Sequence, residues 1–186
     1  MVDGKAGQHR EQRTGRLQPL GEAFLAVLER DQRRLLRLCA ALEKVADDLP
    51  ESRQSKRTGR LLAFLEKSFQ RHIFLYEKCL FPLIRSLGGT KPSVEAVLFQ
   101  LEFEHASDHG LVLEITSAFL NDRGAKEVND VHVLGFLLRS FFENYRRHHS
   151  WEQNILYPIV RQQLLGETIA AQHDALLRVS MGLGNR

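Results

Sequence analysis

Two cysteines, Cys39 and Cys79, are too few in 186 residues to frame a disulfide-stapled fold, and they suit a reducing compartment. No apolar run approaches the roughly 20 residues that cross a bilayer, so no membrane association is expected. The opening MVDGKAGQHREQRTGR lacks the apolar stretch of a secretory signal; residues 1–18 are expected to form a disordered basic arm and the chain to be cytoplasmic. Alternating apolar and polar strands with hairpin turns are missing as well, which excludes a β-sheet fold. There is no P-loop, no GxGxxG after a strand, no nucleophile elbow and no CxxC pair, so the common nucleotide, hydrolase and thiol-redox chemistries have no foothold. Charge of one sign is not dominant either. Lys and Arg number 26 against 23 Asp and Glu, and the basic excess sits partly in the arm and in SRQSKRTGR, as a solvated run that does not call for nucleic acid.

Helical periodicity fills what is left. From Leu20, apolar residues recur at steps of three and four (Phe24, Leu25, Leu28, Leu35, Leu38, Leu42, Val45, Leu49), predicting a helix of about 30 residues that Pro50 ends. A second run extends from Leu61 to about Leu87, with Pro82 expected to kink its last turns. A third starts after Pro92 and stops at NDRG, where Gly124 is a C-terminal breaker. The fourth is expected to begin near Asp130 as N-cap and to reach about Leu165. These four make an all-α, up-down antiparallel four-helix bundle over residues 19–166, followed by a 167–186 tail with a short helix around Thr168 to Leu177.

The chain repeats itself. RHIFLYEKCLFPLI and RHHSWEQNILYPIV align at an offset of 76, pairing His72 with His148, Leu80 with Leu156, Phe81 with Tyr157 and Pro82 with Pro158. Tyr76 then falls over Glu152, and Glu77 over Gln153. At an offset of 73, Asp31 falls over Glu104 and Gln32 over His105. Two helical hairpins of one pattern, related by a pseudo-twofold axis, bring equivalent positions of all four helices to one level.

At that level stand groups that carry chemistry. His148 and Glu152 are one helical turn apart and reach the same centre; His72 and Tyr76 repeat the spacing, and His105 is joined by His109 on nearly the same face. Inward imidazoles and carboxylates suit iron, manganese or zinc. Burying three imidazoles and a carboxylate without a metal or a dense hydrogen-bond network would cost several kcal/mol, against net stabilities of about 5–15. Asp31, Glu77 and His149 are each rotated by about 100° from an inward neighbour, which makes the two acids surface or supporting groups. Cys39 and Cys79 match Val112 and Ile155 in the other hairpin and read as small core residues. Trp151 reads as packing.

The frame H-x-x-x-E-x-x-x-L-Y-P, its counterpart ending in LFP, the single histidines on alternate helices and the stretch DQRRLLRLCAALEKVADDLP together resemble the hemerythrin-like, HHE cation-binding domains over about residues 20 to 165. The resemblance implies a four-helix bundle with a non-haem iron centre of one or two ions. It further implies binding or sensing of a small diatomic or peroxide ligand, oxygen, nitric oxide or peroxide, with no enzymatic turnover specified. The ligands carried over are His72, His105, His148 and Glu152, whereas Gln32 and Tyr76 stand where the family has a histidine and a carboxylate. Three arrangements follow: Tyr76 joins as a phenolate ligand, the four matching residues hold one ion, or the centre is metal-free. In the last case the chain is a degenerate helical interaction or regulatory module with a protein partner.

Overall fold

The computed structural model describes residues 4–52, 55–86, 91–121 and 128–165. Among them there is no strand, and the chain forms four helical rods. Helix α1 spans Gly4–Asp47, as one assigned helix that takes in most of the stretch expected as an arm. Helix α2 spans Lys56–Ile73 and runs through a π-helical segment, Phe74–Leu80, into α3, Phe81–Ser86. Helix α4 spans Pro92–Asn121. Helix α5, Val128–Trp151, passes through a second π-helical segment, Glu152–Leu156, into α6, Tyr157–Leu165. The fourth rod thus begins at Val128, two residues before the Asp130 expected to cap it. The tail beyond Leu165 and Gly124 lie outside the described residues. Ser55 caps α2, its hydroxyl accepting from the Arg57 N–H at 3.1 Å.

The rods pack in a ring, α1 on α2, α2 on α4, α4 on α5 and α5 on α1. Two close approaches fix their directions. A Cβ at Gly59, near the start of α2, would stand 3.3 Å from the Phe119 ring near the end of α4. One at Gly135, early in α5, would stand 3.3 Å from Leu49, just past the end of α1. The starts of α2 and α5 therefore share one end of the bundle with the ends of α1 and α4. This is the up-down antiparallel arrangement, and the short links between successive rods permit no other.

Both prolines inside the periodic runs are met by a widened turn. Pro82 and Pro158 each stand two residues past a π segment, where the N–H of the intervening Phe81 bonds the carbonyl of Tyr76 and the N–H of the intervening Tyr157 bonds that of Glu152. Proline removes a helix hydrogen bond and its ring strikes the carbonyl four residues back; a five-residue step relieves both conflicts. The expected disturbance at Pro82 takes this form, and the repeat places it twice. The carbonyls that open the two widened turns belong to Tyr76 and Glu152, the paired positions of the repeat.

The interior divides into two apolar clusters. One gathers Phe24, Leu28, Leu75, Leu80, Phe81, Leu98, Leu101 and Leu156; the other gathers Leu35, Leu42, Leu65, Phe69, Val112, Ile115, Phe141 and Tyr145. Along every rod the chain passes from one cluster to the other through polar residues: Asp31 and Gln32 in α1, His72 in α2, His105 and Asp108 in α4, His148 and Glu152 in the fourth rod. All of these are buried.

Candidate metal centre

The polar layer is built from helical turns that aim side chains at one point. His72, His105, His148 and Glu152 each offer one donor atom, these atoms lie within 4.8 Å of one another, and all four residues are at most 1% exposed. Glu152 stands in the middle. Its Oε1 is 3.4 Å from Nε2 of His72 and 3.4 Å from Nε2 of His148, with no hydrogen bond to either. The His105 ring is 5.1 Å from that of His72 and 4.8 Å from that of His148.

Each histidine is fixed from behind. Nδ1 of His72 meets Asp31 Oδ2 at 3.1 Å, Nδ1 of His105 meets Glu77 Oε1 at 3.1 Å, and Nδ1 of His148 meets Glu104 Oε2 at 2.9 Å. A carboxylate on Nδ1 holds a proton there, and wherever the imidazole is neutral this leaves Nε2 as a lone-pair donor toward the centre. Asp31 and Glu77, expected to turn away from the centre, do so by turning toward the imidazole of a neighbouring helix. Arg71 Nε is in turn 3.4 Å from Asp31 Oδ1.

Burial and charge move His105 and His148 in opposite directions. Burial lowers His105 to about 4, with Glu77 opposing and the other two histidines assisting. Burial would lower His148 as well, but Glu152 and Glu104 outweigh it and raise that group to about 9. Burial acts against the ionised Glu152 too, and the facing histidines still bring it down to about 2.

The pseudo-twofold axis makes the remaining half legible. Asp31 with His72 and Glu104 with His148 are equivalent pairs, and both are bonded alike. The counterpart of Glu77 with His105 is Gln153 with Gln32, and these are bonded as well, the Gln153 amide donating to Gln32 Oε1. Gln32 Nε2 then donates to Glu152 Oε2 at 2.6 Å. One carboxylate–histidine pair has thus been exchanged, as a pair, for two neutral amides. The counterpart of Glu152 is Tyr76, whose ring lies 4.4 Å from the His72 ring and whose hydroxyl is 3.2 Å from that of Tyr157. Burial and the nearby Glu152 charge push the Tyr76 phenol well above its ordinary range.

Four donor atoms of the set have no hydrogen-bond partner: Nε2 of His72, His105 and His148, and Oε1 of Glu152. A buried polar atom left unmet costs about 1–3 kcal/mol, and here only the attraction of Glu152 Oε1 for the Nε2 atoms of His72 and His148, at 3.4 Å, offsets part of it. Donors about 2.1 Å from an ion stand up to about 4.2 Å apart across it, so the set fits a single ion with a contraction of about half an ångström at its widest. Three imidazoles and one carboxylate are the donors of iron, manganese and zinc.

Other candidates stay outside the set. His109 is half-buried with an unpartnered Nε2, and the His149 ring stacks on Tyr145. Cys39 is a core residue whose thiol burial pushes up to about 12, and Cys79 is half-buried. Trp151 is partly exposed. Sequence reasoning left three contributors without a role: Glu104, Gln153 and Tyr145. The first two follow from the rule that the residue beside each inward position reaches a neighbouring rod. Tyr145, one turn before His148, has a buried hydroxyl with no partner and a ring 5.7 Å from that of His72.

Residues 23–160 match the family model described as the hemerythrin HHE cation binding domain. No curated protein and no solved structure matches the chain. Among the described residues, no helix is long and apolar enough to cross a membrane.

Proposed function

The chain belongs to the hemerythrin HHE cation-binding domain family, and from that premise we propose that it holds one non-haem iron ion at His72, His105, His148 and Glu152 and uses it to bind or sense oxygen, nitric oxide or peroxide. The observation that carries this reading is the convergence of three Nε2 atoms and one carboxylate oxygen, all buried and without a hydrogen-bond partner, within 4.8 Å of one another. A ferrous ion with four protein donors keeps coordination positions open to a diatomic or peroxide ligand. The protein does the rest. Asp31, Glu77 and Glu104 fix the three imidazoles, the two apolar clusters exclude water, and Gln32 turns Glu152 so that one oxygen faces the histidines. The Tyr145 hydroxyl is a buried donor still in need of an acceptor, on a ring packed against those of His72 and His148.

One ion, not two, is favoured by the exchanged half. Gln32 and Gln153 satisfy each other, Tyr76 and Tyr157 satisfy each other, and neither pair brings the negative charge that a second cation needs. The same closed hydrogen bonds are what a metal-free interaction module would show, and they support that second reading. It leaves the four orphan donor atoms unexplained.

Nitric oxide separates the two. Added without air to protein reconstituted with ferrous iron, it is expected to produce a visible absorption that saturates near one equivalent per iron. An iron-loaded chain whose spectrum does not respond to nitric oxide would contradict the ligand-binding reading.

A further inference from the structure

Helix α4 is apolar on two sides. Leu98, Leu101, His105 and Val112 face the bundle, whereas Phe99, Phe103, Ala106, Gly110, Leu113 and Leu120 recur at heptad steps on the far side. Phe99 is 67% exposed, Phe103 64%, Leu113 48% and Leu120 51%. Surface helices of globular proteins carry polar residues there, whereas the charges of α4, Glu95, Glu102, Glu104, Asp108 and Glu114, all lie off this stripe.

Gly110 adds a second, independent observation. It sits in the interior of a 30-residue helix, and a Cβ added to it would meet nothing within 4 Å. Glycine weakens a helix interior relative to alanine, and among the described residues no neighbour requires the missing Cβ. A second helix backbone crossing close by would require it.

We infer that α4 is the interface of a homodimer, in which two copies pair antiparallel about a twofold axis passing beside Gly110. The stripe is built for self-pairing. Gly110 follows Phe99 by 11 residues and precedes Leu120 by 10, so its smallest member lies at its middle. A twofold axis there sets Phe103 beside the partner's Ser117 and Ala106 beside the partner's Leu113, large against small, with Phe99 beside the partner's Leu120 at the two ends. The four large side chains alone expose about 400 Å² of apolar surface, about half of the 800 Å² or so that each partner brings to a standard interface. The inference does not depend on the metal reading, because the stripe faces away from the centre.

Sedimentation velocity on the full chain from 5 to 200 µM, with light scattering, tests it. A dimer is expected, and Phe103→Glu and Gly110→Leu are each expected to raise its dissociation constant at least tenfold. Both variants should leave the helical circular dichroism of the monomer unchanged, since neither position touches the core. As a geometric check, Gly110→Cys should cross-link to itself on oxidation, whereas Phe99→Cys should not, its two copies lying roughly 30 Å apart along the antiparallel helices. A monomer at 200 µM, a dimer indifferent to both substitutions, or equal cross-linking at both positions would overturn the inference, and a different protein would then be the occupant to seek.

Discussion

Gln32 donates its side-chain N–H to Glu152 Oε2 across 2.6 Å, joining α1 to the turn whose carboxylate stands between His72 and His148. The bond leaves Oε1 directed at the histidines. Gln32→Leu should therefore leave the bundle folded but weaken metal binding by about 10–100-fold, the usual effect of removing a group that orients a ligand. Competition against a chelating dye measures it; unchanged affinity would mean that Glu152 needs no such support.

The exchanged half can be restored. Gln32→His, Tyr76→Glu and Gln153→Glu together recreate on one side of the axis what His105, Glu152 and Glu77 provide on the other. Metal content of the triple variant is expected to rise from about one to about two ions per chain. The double variant lacking Gln153→Glu should fill its second position more weakly, because the new imidazole would have no carboxylate on Nδ1.

Glu104 gives a narrower test of the same support. Glu104→Ala removes the acceptor at 2.9 Å from His148 Nδ1 and should lower metal affinity by about 10–100-fold. Since Glu104 makes no contact with the four donor atoms, an unchanged affinity would show that His148 is held by packing alone.

Tyr76→Phe separates a ligand from a wall. With its hydroxyl bonded to Tyr157 and its phenol pushed up by burial, Tyr76 should remain neutral. The variant should keep its iron, lose about 1 kcal/mol of stability with the hydrogen bond, and show the same visible spectrum in the ferric state. A ferric absorption band that disappears in the variant would make Tyr76 a phenolate ligand.

Asp108 supplies a pH dependence. Burial raises its carboxyl from 3.8 to about 6, against the pull of His148 and a hydrogen bond from Asn144. The folded state thus holds the proton more tightly than the unfolded state, so stability falls as pH rises from about 4 to about 6 and the full penalty applies above that. Asp108→Asn should stabilise the metal-free protein at pH 8 by about 1–3 kcal/mol and by little at pH 4. Urea unfolding at the two values decides, and an equal effect at both would remove ionisation as the cause.

Much of this layer was legible in the chain because helices report their inward faces at fixed steps. The pairing of His72 with His148 and of Gln32 with His105 needed only the two offsets of the repeat, and the bundle needed only four periodic runs. The carboxylates behind the imidazoles were harder to assign. Asp31, Glu77 and Glu104 sit one residue from an inward position, and whether such a residue meets solvent or the next rod depends on how closely the rods pack. The widened turns at Pro82 and Pro158 were hidden for a related reason, since proline announces a conflict without stating its resolution. Tyr145 looked like any core aromatic, because its unmet hydroxyl appears only when every neighbour is in place.

Metal stoichiometry bears most directly on the whole account. Protein reconstituted with ferrous iron without air, then desalted and analysed for metal and chain concentration together, should carry about one iron per chain, and His148→Ala should carry almost none. Wild-type protein holding less than about 0.2 iron per chain after the same treatment would contradict the convergence of His72, His105, His148 and Glu152 on a common ion.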